Sequence, residues 1–239
     1  MLKTYTDLQE LYTAAAALFV QAAKSAISQN GRFTVALTGG SSPVETYRLL
    51  ATPEYRDQVQ WEHVYIFWGD ERWVPMDDDR SNARMAFETL LNHIPVPKAQ
   101  VFPMWAPDVT PEAFAEQYEQ TLRQHLGKEG HFDLILLGMG ADGHTASWFP
   151  HTAVINEREK WVAAYYLQAQ NMYRITLTVP LVNQARQIVV IAYGANKADA
   201  LFEVWKGERN PEEYPAQLVD TAIEGRVTWL VDADAAANL

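Results

Sequence analysis

The chain has 239 residues, no cysteine and a formal net charge of −11. Disulfides, thiolate metal sites and cysteine nucleophiles are therefore excluded, and so acidic a balance disfavours an extended nucleic-acid or anionic-membrane surface. Hydrophobic residues make up 48% of the chain and charged residues 21%, enough apolar material for a core that needs no staples.

No Pro/Gly/Ser-rich linker, charge block or repeat divides the chain, so residues 1–239 are expected to form one domain. The opening MLKTYTDLQELY lacks the apolar stretch of a signal peptide, and no run approaches the ~20 apolar residues of a membrane span. With no cysteine present, a reducing, cytoplasmic setting is expected.

Thr6 to about Gln29 is predicted as the first helix, with Leu8, Leu11, Tyr12, Ala15, Leu18 and Phe19 on one stripe. Thr6 and Gln9 form a capping-box pattern, and Gly31 follows the end. Phe33 to Leu37 reads as a strand running into Thr38-Gly39-Gly40-Ser41-Ser42-Pro43. Ser42 suits the N-cap, Pro43 the first helical position and Glu45 the capping box of a helix from Val44 to about Leu50. Strand, glycine turn and helix start can bind phosphate through free N–H groups, or can be a tight turn whose serines only cap the helix. The segment matches neither a P-loop nor a GxGxxG fingerprint.

Val64 to Trp68 is the next strand and ends in Gly69-Asp70-Glu71-Arg72. Asp70 and Arg72 are placed to face a ligand, with Glu71 turned away; a local surface ion pair is the alternative. Asp77-Asp78-Asp79 lacks metal-loop spacing and reads as a solvated loop, so no metal is expected. Ser81 caps a helix over Asn82 to Leu91, which sets Asn82 near the sheet edge. Ile94 to Asp108, with four prolines, is irregular, and Thr110-Pro111-Glu112 opens a helix ending near His125 and Gly127.

Phe132 to Pro150, FDLILLGMGADGHTASWFP, is the stretch richest in chemistry. Leu134 to Leu137 reads as a parallel strand buried on both faces, followed by Gly138, Gly140 and Gly143. Asp142, His144, Thr145 and Ser147 then lie at a strand's carboxyl end, where open α/β sheets bind ligands. Trp161 to Leu167 and Arg174 to Val179 are strands, the second alternating as if half-buried. Ile188 to Tyr193 is a fully apolar, central strand leading into Gly194-Ala195-Asn196-Lys197 and a helix to about Trp205. Lys197 opposes the helix dipole unless an anion sits there too. Glu203 to Gln217 is irregular, and Val227 to Val231 is the last strand. The whole is an α/β chain with a mostly parallel, Rossmann-like sheet and helices on both faces.

TGGSSP, GDERWVP, GMGADGHTASWFP, RITLTVPLVNQAR and GANKADAL, in this order from about Phe33 to Leu201, resemble the 6-phosphogluconolactonase family. The resemblance implies the fold shared with glucosamine-6-phosphate deaminase and ribose-5-phosphate isomerase. It implies hydrolysis of 6-phospho-D-glucono-1,5-lactone in the pentose phosphate pathway, with a sugar phosphate as partner and no cofactor. His144 is expected as general base, Asp142 as its orienting group or a hydroxyl ligand, and Arg72 as oxyanion partner. Gly39, Gly40, Ser41, Ser42, Arg174 and Lys197 are expected to hold the phosphate, with Asp70 and Asn82 nearby. A glucosamine-6-phosphate deaminase/isomerase is the first alternative, but its loop carries a glutamate after the histidine and Thr145 to Pro150 contain no carboxylate. A non-catalytic sugar-phosphate sensor is the second, and no added basic segment accompanies the chain. A monomer or weak homodimer is expected.

Overall fold

The computed structural model describes residues 1–127, 130–219 and 222–239. Its elements run β1 (Leu2–Tyr5), α1 (Leu8–Asn30), β2 (Phe33–Leu37), α2 (Val44–Ala51), α3 (Pro53–Arg56), β3 (Val64–Trp68), β4 (Asp70–Arg72), α4 (Asn82–Thr89) and α5 (Pro111–Leu126). They continue with β5 (Leu134–Gly138), β6 (Val162–Leu167), β7 (Met172–Leu177), α6 (Val179–Val182), β8 (Ile188–Ala192), α7 (Ala198–Trp205) and β9 (Val227–Asp232).

Six strands form one parallel sheet in the order β1-β9-β8-β5-β2-β3. Every residue of β2 and β8 is buried, so both faces of its centre are covered. Such strands need continuous apolar runs, which FTVAL and IVVIA supply. Trp61, Trp68, Trp148 and Trp229 are among the largest fully buried side chains. A fully buried large apolar side chain contributes about 1.5–3 kcal/mol relative to exposure.

The sequence does not announce the second sheet. Strands β4, β7 and β6 form a small antiparallel sheet in that order, with Asp70 opposite Thr176 and Arg72 opposite Arg174. Gly69 joins the two sheets: its N–H donates to Leu37 O of β2 at 2.8 Å, and its carbonyl accepts from Leu177 N–H of β7 at 2.8 Å. Strand β7 is not half-buried as its alternation suggests. Arg174, Ile175, Thr176 and Leu177 are all buried, because the polar positions face the loops of the site rather than water. The strand ends at Leu177, and Val179 already belongs to α6.

Four local readings change. Asp7, not Thr6, caps α1, accepting from the Gln9 N–H at 2.9 Å. Leu2–Tyr5 pairs with β9 as an edge strand, although LKTY has no strand pattern of its own. At α2, Pro43 occupies the cap position in helical geometry and no side chain caps the helix. Glu45 pairs with Arg48 instead of closing a capping box. Ser81 does cap α4, accepting from the Arg84 N–H at 3.1 Å, but the helix stops at Thr89.

Candidate active site

Four loops leave the carboxyl ends of β2, β3, β5 and β8 on one edge of the parallel sheet. Together they enclose a cavity of about 160 Å³. Its walls include Gly39, Gly40, Ser41, Ser42, Asp70, Arg72, Asn82, His144, Arg174 and Lys197, so ten of the eleven expected site residues meet there. Asp142 does not line the wall and lies against the His144 ring instead.

His144 is half-buried and stacks on Phe149, with ring centroids 4.1 Å apart and planes at 25°. Its Nδ1–H donates to Asp142 Oδ1 at 2.5 Å, and its backbone N–H reaches the same oxygen at 3.2 Å. Burial pushes the Asp142 carboxyl up, but the bonds and charge of His144 outweigh this and hold it below its ordinary value. With Nδ1 as donor, Nε2 keeps its lone pair for a proton.

The other polar residues of this loop are engaged in building it. Thr145 donates to Gly138 O at 2.7 Å, and Ser147 donates to Asp70 Oδ2 at 2.6 Å. Ala216 N–H donates to Gly143 O at 2.9 Å, which joins the loop to the segment before β9.

Asp70 and Arg174 form a buried ion pair at 2.9 Å across the small sheet. Arg174 also donates to Ser147 Oγ at 2.9 Å and Gln170 Oε1 at 3.1 Å, so its three nitrogens all have partners. Asp70 thus pairs with Arg174 across the small sheet and not through the local surface pair considered from sequence. Arg72 differs. Its Nη1 donates to Arg80 O at 2.7 Å, while its buried Nε has no partner among the described residues. Burial, then the neighbouring Arg174, lowers the Arg72 guanidinium from its ordinary value. Arg72 is therefore the arginine with donors still available.

The glycine turn after β2, where phosphate binding is expected, has the same character. Without a capping role, the Ser41 and Ser42 hydroxyls are held by no group among the described residues. The loop itself is fixed from behind: Tyr47 OH donates to Thr38 O at 2.9 Å and accepts from Thr38 N–H at 3.0 Å, and Tyr193 OH donates to Ser41 O at 3.1 Å. Lys197 sits at the start of α7, and burial lowers its ammonium from the ordinary lysine value while Asp142 counters this. Asn82 donates to Asp70 O at 3.0 Å, and its Oδ1 is buried without a partner among the described residues. Gly39 makes room for it, since a β-carbon there would lie 1.9 Å from Asn82 Oδ1.

Glu71 escaped the sequence reading. It is turned away from the cavity, as expected, but it is fully buried and accepts four hydrogen bonds. Nothing in GDER distinguishes such a residue from a solvated acid. Tyr47 and Tyr193, behind the glycine turn, were equally hidden, because their contacts are to backbone atoms. Asp78 and Asp79 pair with Arg80 and Arg84, in keeping with a solvated loop.

A larger groove of about 540 Å³ lies between α5 and β6, lined among others by Glu112, Glu116, Glu119, Arg123, Glu157 and Lys160. It has no imidazole and an excess of carboxylates, which suits neither a phosphate nor acyl chemistry.

Residues 6–229 match the model of the family described as glucosamine-6-phosphate isomerases/6-phosphogluconolactonase. The chain belongs to this family. Within it, the 6-phosphogluconolactonase of Synechocystis sp. is 40% identical over 218 residues, covering 90% of this chain and 88% of that protein. The solved 6-phosphogluconolactonase of Trypanosoma brucei superposes with a TM-score of 0.84 at 30% identity, covering 100% of this chain and 98% of the other. A monomeric glucosamine-6-phosphate deaminase superposes as well, with a TM-score of 0.85 over 100% of this chain and 99% of its own. Its 22% identity speaks for the shared fold alone.

Proposed function

We infer that this chain hydrolyses 6-phospho-D-glucono-1,5-lactone to 6-phospho-D-gluconate in the pentose phosphate pathway. The observation that carries the reading within the family is the contrast between His144 and Asp70. His144 offers Nε2 beside the cavity, whereas Asp70 is neutralised by Arg174 at 2.9 Å and Ser147 at 2.6 Å. An aldose–ketose isomerisation needs a carboxylate free to shuttle a carbon-bound proton, and Asp70 Oδ2 is already engaged by Arg174 and Ser147. Ester hydrolysis needs only an imidazole, a water and an oxyanion partner.

In this reading the 6-phosphate rests on the amides of Gly39 to Ser42, the two serine hydroxyls and Lys197, at the start of α2. His144 Nε2 takes a proton from water as its oxygen attacks the lactone carbonyl carbon. Arg72 stabilises the oxyanion of the tetrahedral intermediate. Collapse breaks the bond from the carbonyl carbon to the ring oxygen, which leaves with the proton held by His144. Asp142 orients the ring and stabilises the imidazolium, as the acid of a catalytic triad does. Asp70 and Asn82 shape the sugar pocket, and Arg174, expected from sequence to hold the phosphate, is given to this pocket instead because its nitrogens are taken by Ser147, Gln170 and Asp70.

No helix among the described residues is long and apolar enough to cross a membrane. The net charge of −11 supports a partner list of small sugar phosphates over extended anionic nucleic-acid or membrane surfaces, and we assign a cytoplasmic setting to the chain. The small sheet shares its core with the large one, which supports one domain over residues 1–239. We read its state as a monomer or weak homodimer.

The test compares lactone disappearance with its spontaneous rate, for wild type and His144→Ala. Acceleration by wild type alone supports the reading. Deamination of glucosamine 6-phosphate with no effect on the lactone overturns it. A sensor would bind 6-phosphogluconate and accelerate neither reaction.

A further inference from the structure

We propose that Glu71 is a positioning residue for this reaction: its buried carboxylate fixes where the Arg72 guanidinium stands. The proposal rests on the lactonase reading and on Arg72 as oxyanion partner. Glu71 Oε1 accepts from the backbone N–H groups of Arg72 and Asn82, each at 2.8 Å. Its Oε2 accepts from Ala83 N–H at 2.8 Å and from the Ser81 hydroxyl at 3.1 Å. Donors from two separate segments, β4 and the start of α4, thus converge on one group.

The far end of Arg72 is tied to the same second segment, since its Nη1 donates to Arg80 O at 2.7 Å. Arg72 is therefore anchored at its backbone and at its head, and Glu71 closes the ring between the two anchors. Without Glu71, the segment carrying the Arg80 carbonyl is free to shift relative to β4, and the guanidinium shifts with it.

Helix capping alone does not require this residue. Ser81 already satisfies the Arg84 N–H, and a short polar cap or water ordinarily serves the first-turn N–H groups. A carboxylate with no exposure is costly to desolvate, by several kcal/mol in general. What it adds is reach to β4 and, when ionised, a negative charge beside the Arg72 guanidinium. Glu71 does not line the cavity, so its effect on the reaction passes through the cavity residues it holds, Arg72 and Asn82, rather than through substrate, and the Arg72 share is what a double-mutant cycle isolates.

Glu71→Gln keeps the shape but turns one acceptor into a donor, which opposes two of the four contacts. We expect kcat to fall on the order of thirtyfold with KM within about threefold, because a shift in a group that acts in the transition state lowers turnover. The deciding measurement is a double-mutant cycle with Arg72→Lys, which keeps a cation and residual turnover. If Glu71 acts through Arg72, adding Glu71→Gln to Arg72→Lys lowers kcat less than threefold. Equal losses in both backgrounds, or a rise in KM at unchanged kcat, overturn the proposal. Should Glu71→Gln fail to fold, Ser81→Ala removes one of the four donors more gently and is put through the same cycle with the same criteria. A wild type that does not accelerate lactone hydrolysis would instead refute the activity on which the proposal rests.

Discussion

The α-carbon of Gly140 lies against the His144 ring so closely that a β-carbon there would stand 2.1 Å from Nδ1 and 2.4 Å from Asp142 Oδ1. Gly140→Ala must therefore push the imidazole and its carboxylate apart. Misplacement of a reacting group by about 1 Å costs on the order of 10²-fold in rate. The expected outcome is a kcat loss of that order with little change in affinity for 6-phosphogluconate. Steady-state kinetics and product inhibition by 6-phosphogluconate measure the two effects separately.

Asp142→Asn removes the charge that faces the imidazolium while leaving an oxygen able to accept from Nδ1. Turnover is expected to drop by on the order of 10²-fold or more, as it does when the acid of a triad becomes an amide. An unchanged kcat at pH 7 would mean that Asp142 only shapes the loop.

Lys197→Ala deletes the ammonium proposed to hold the 6-phosphate. A hydrogen bond to a charged group contributes about 1.5–3 kcal/mol, which corresponds to roughly tenfold to a hundredfold in affinity. The loss is expected in KM and in 6-phosphogluconate binding, with kcat less affected. An unphosphorylated gluconolactone should not register the substitution, and comparing the two substrates checks this.

Asp70→Asn leaves Arg174 buried without its counter-charge. Breaking a buried pair from one side typically costs about 3–5 kcal/mol. Urea unfolding should show a loss of that size, and the double substitution Asp70→Asn with Arg174→Met should recover part of it.

Stability should also depend on the protonation of Glu71. Burial, the largest influence, pushes its carboxyl up to about 7 despite the bonds from Asn82, Ala83 and Arg72. Between about pH 4.5 and 7 the folded chain holds a proton here that the unfolded chain has released. This group's contribution therefore favours folding below that window and declines as pH rises through it. The decline amounts to about 3 kcal/mol at most, counting 1.36 kcal/mol per pKa unit. Glu71→Gln cannot titrate, so the wild-type unfolding free energy should fall relative to the variant from pH 5 to pH 7. A constant difference across that range would show that Glu71 keeps an ordinary carboxylate pKa.

The parallel sheet was legible because its inner strands must be apolar on both faces. FTVAL, LILLG and IVVIA carry that requirement openly. The cavity was legible too, because glycines and polar residues gather where those strands stop. The small sheet was not, since Asp70–Arg72 pairs with residues about a hundred positions away and has no periodicity of its own in three residues. Leu2–Tyr5 owes its strand to β9 alone. The capping box at Ser42 failed for a different reason: Pro43 took the cap position in helical geometry, which left the serine beside the cavity. Glu71 and Tyr47 bind backbone atoms, and sequence patterns carry no record of such contacts.

Gly69 and the Asp70–Arg174 pair also bear on when the site comes into existence. Asp70 and Arg174 lie 104 residues apart in the chain, and Gly69 bonds to β2 on one side and β7 on the other. During synthesis the phosphate loop emerges early, yet Asp70 has no counter-charge until β7 has left the ribosome. Long-range pairings of this kind form late, and the edges they cover stay open until then. A nascent chain halted before β7 would thus carry an exposed sheet edge, an unpaired carboxylate and no working centre. Catalytic competence therefore cannot precede β7, and it waits further for β8 and Lys197, which follow that strand in the chain.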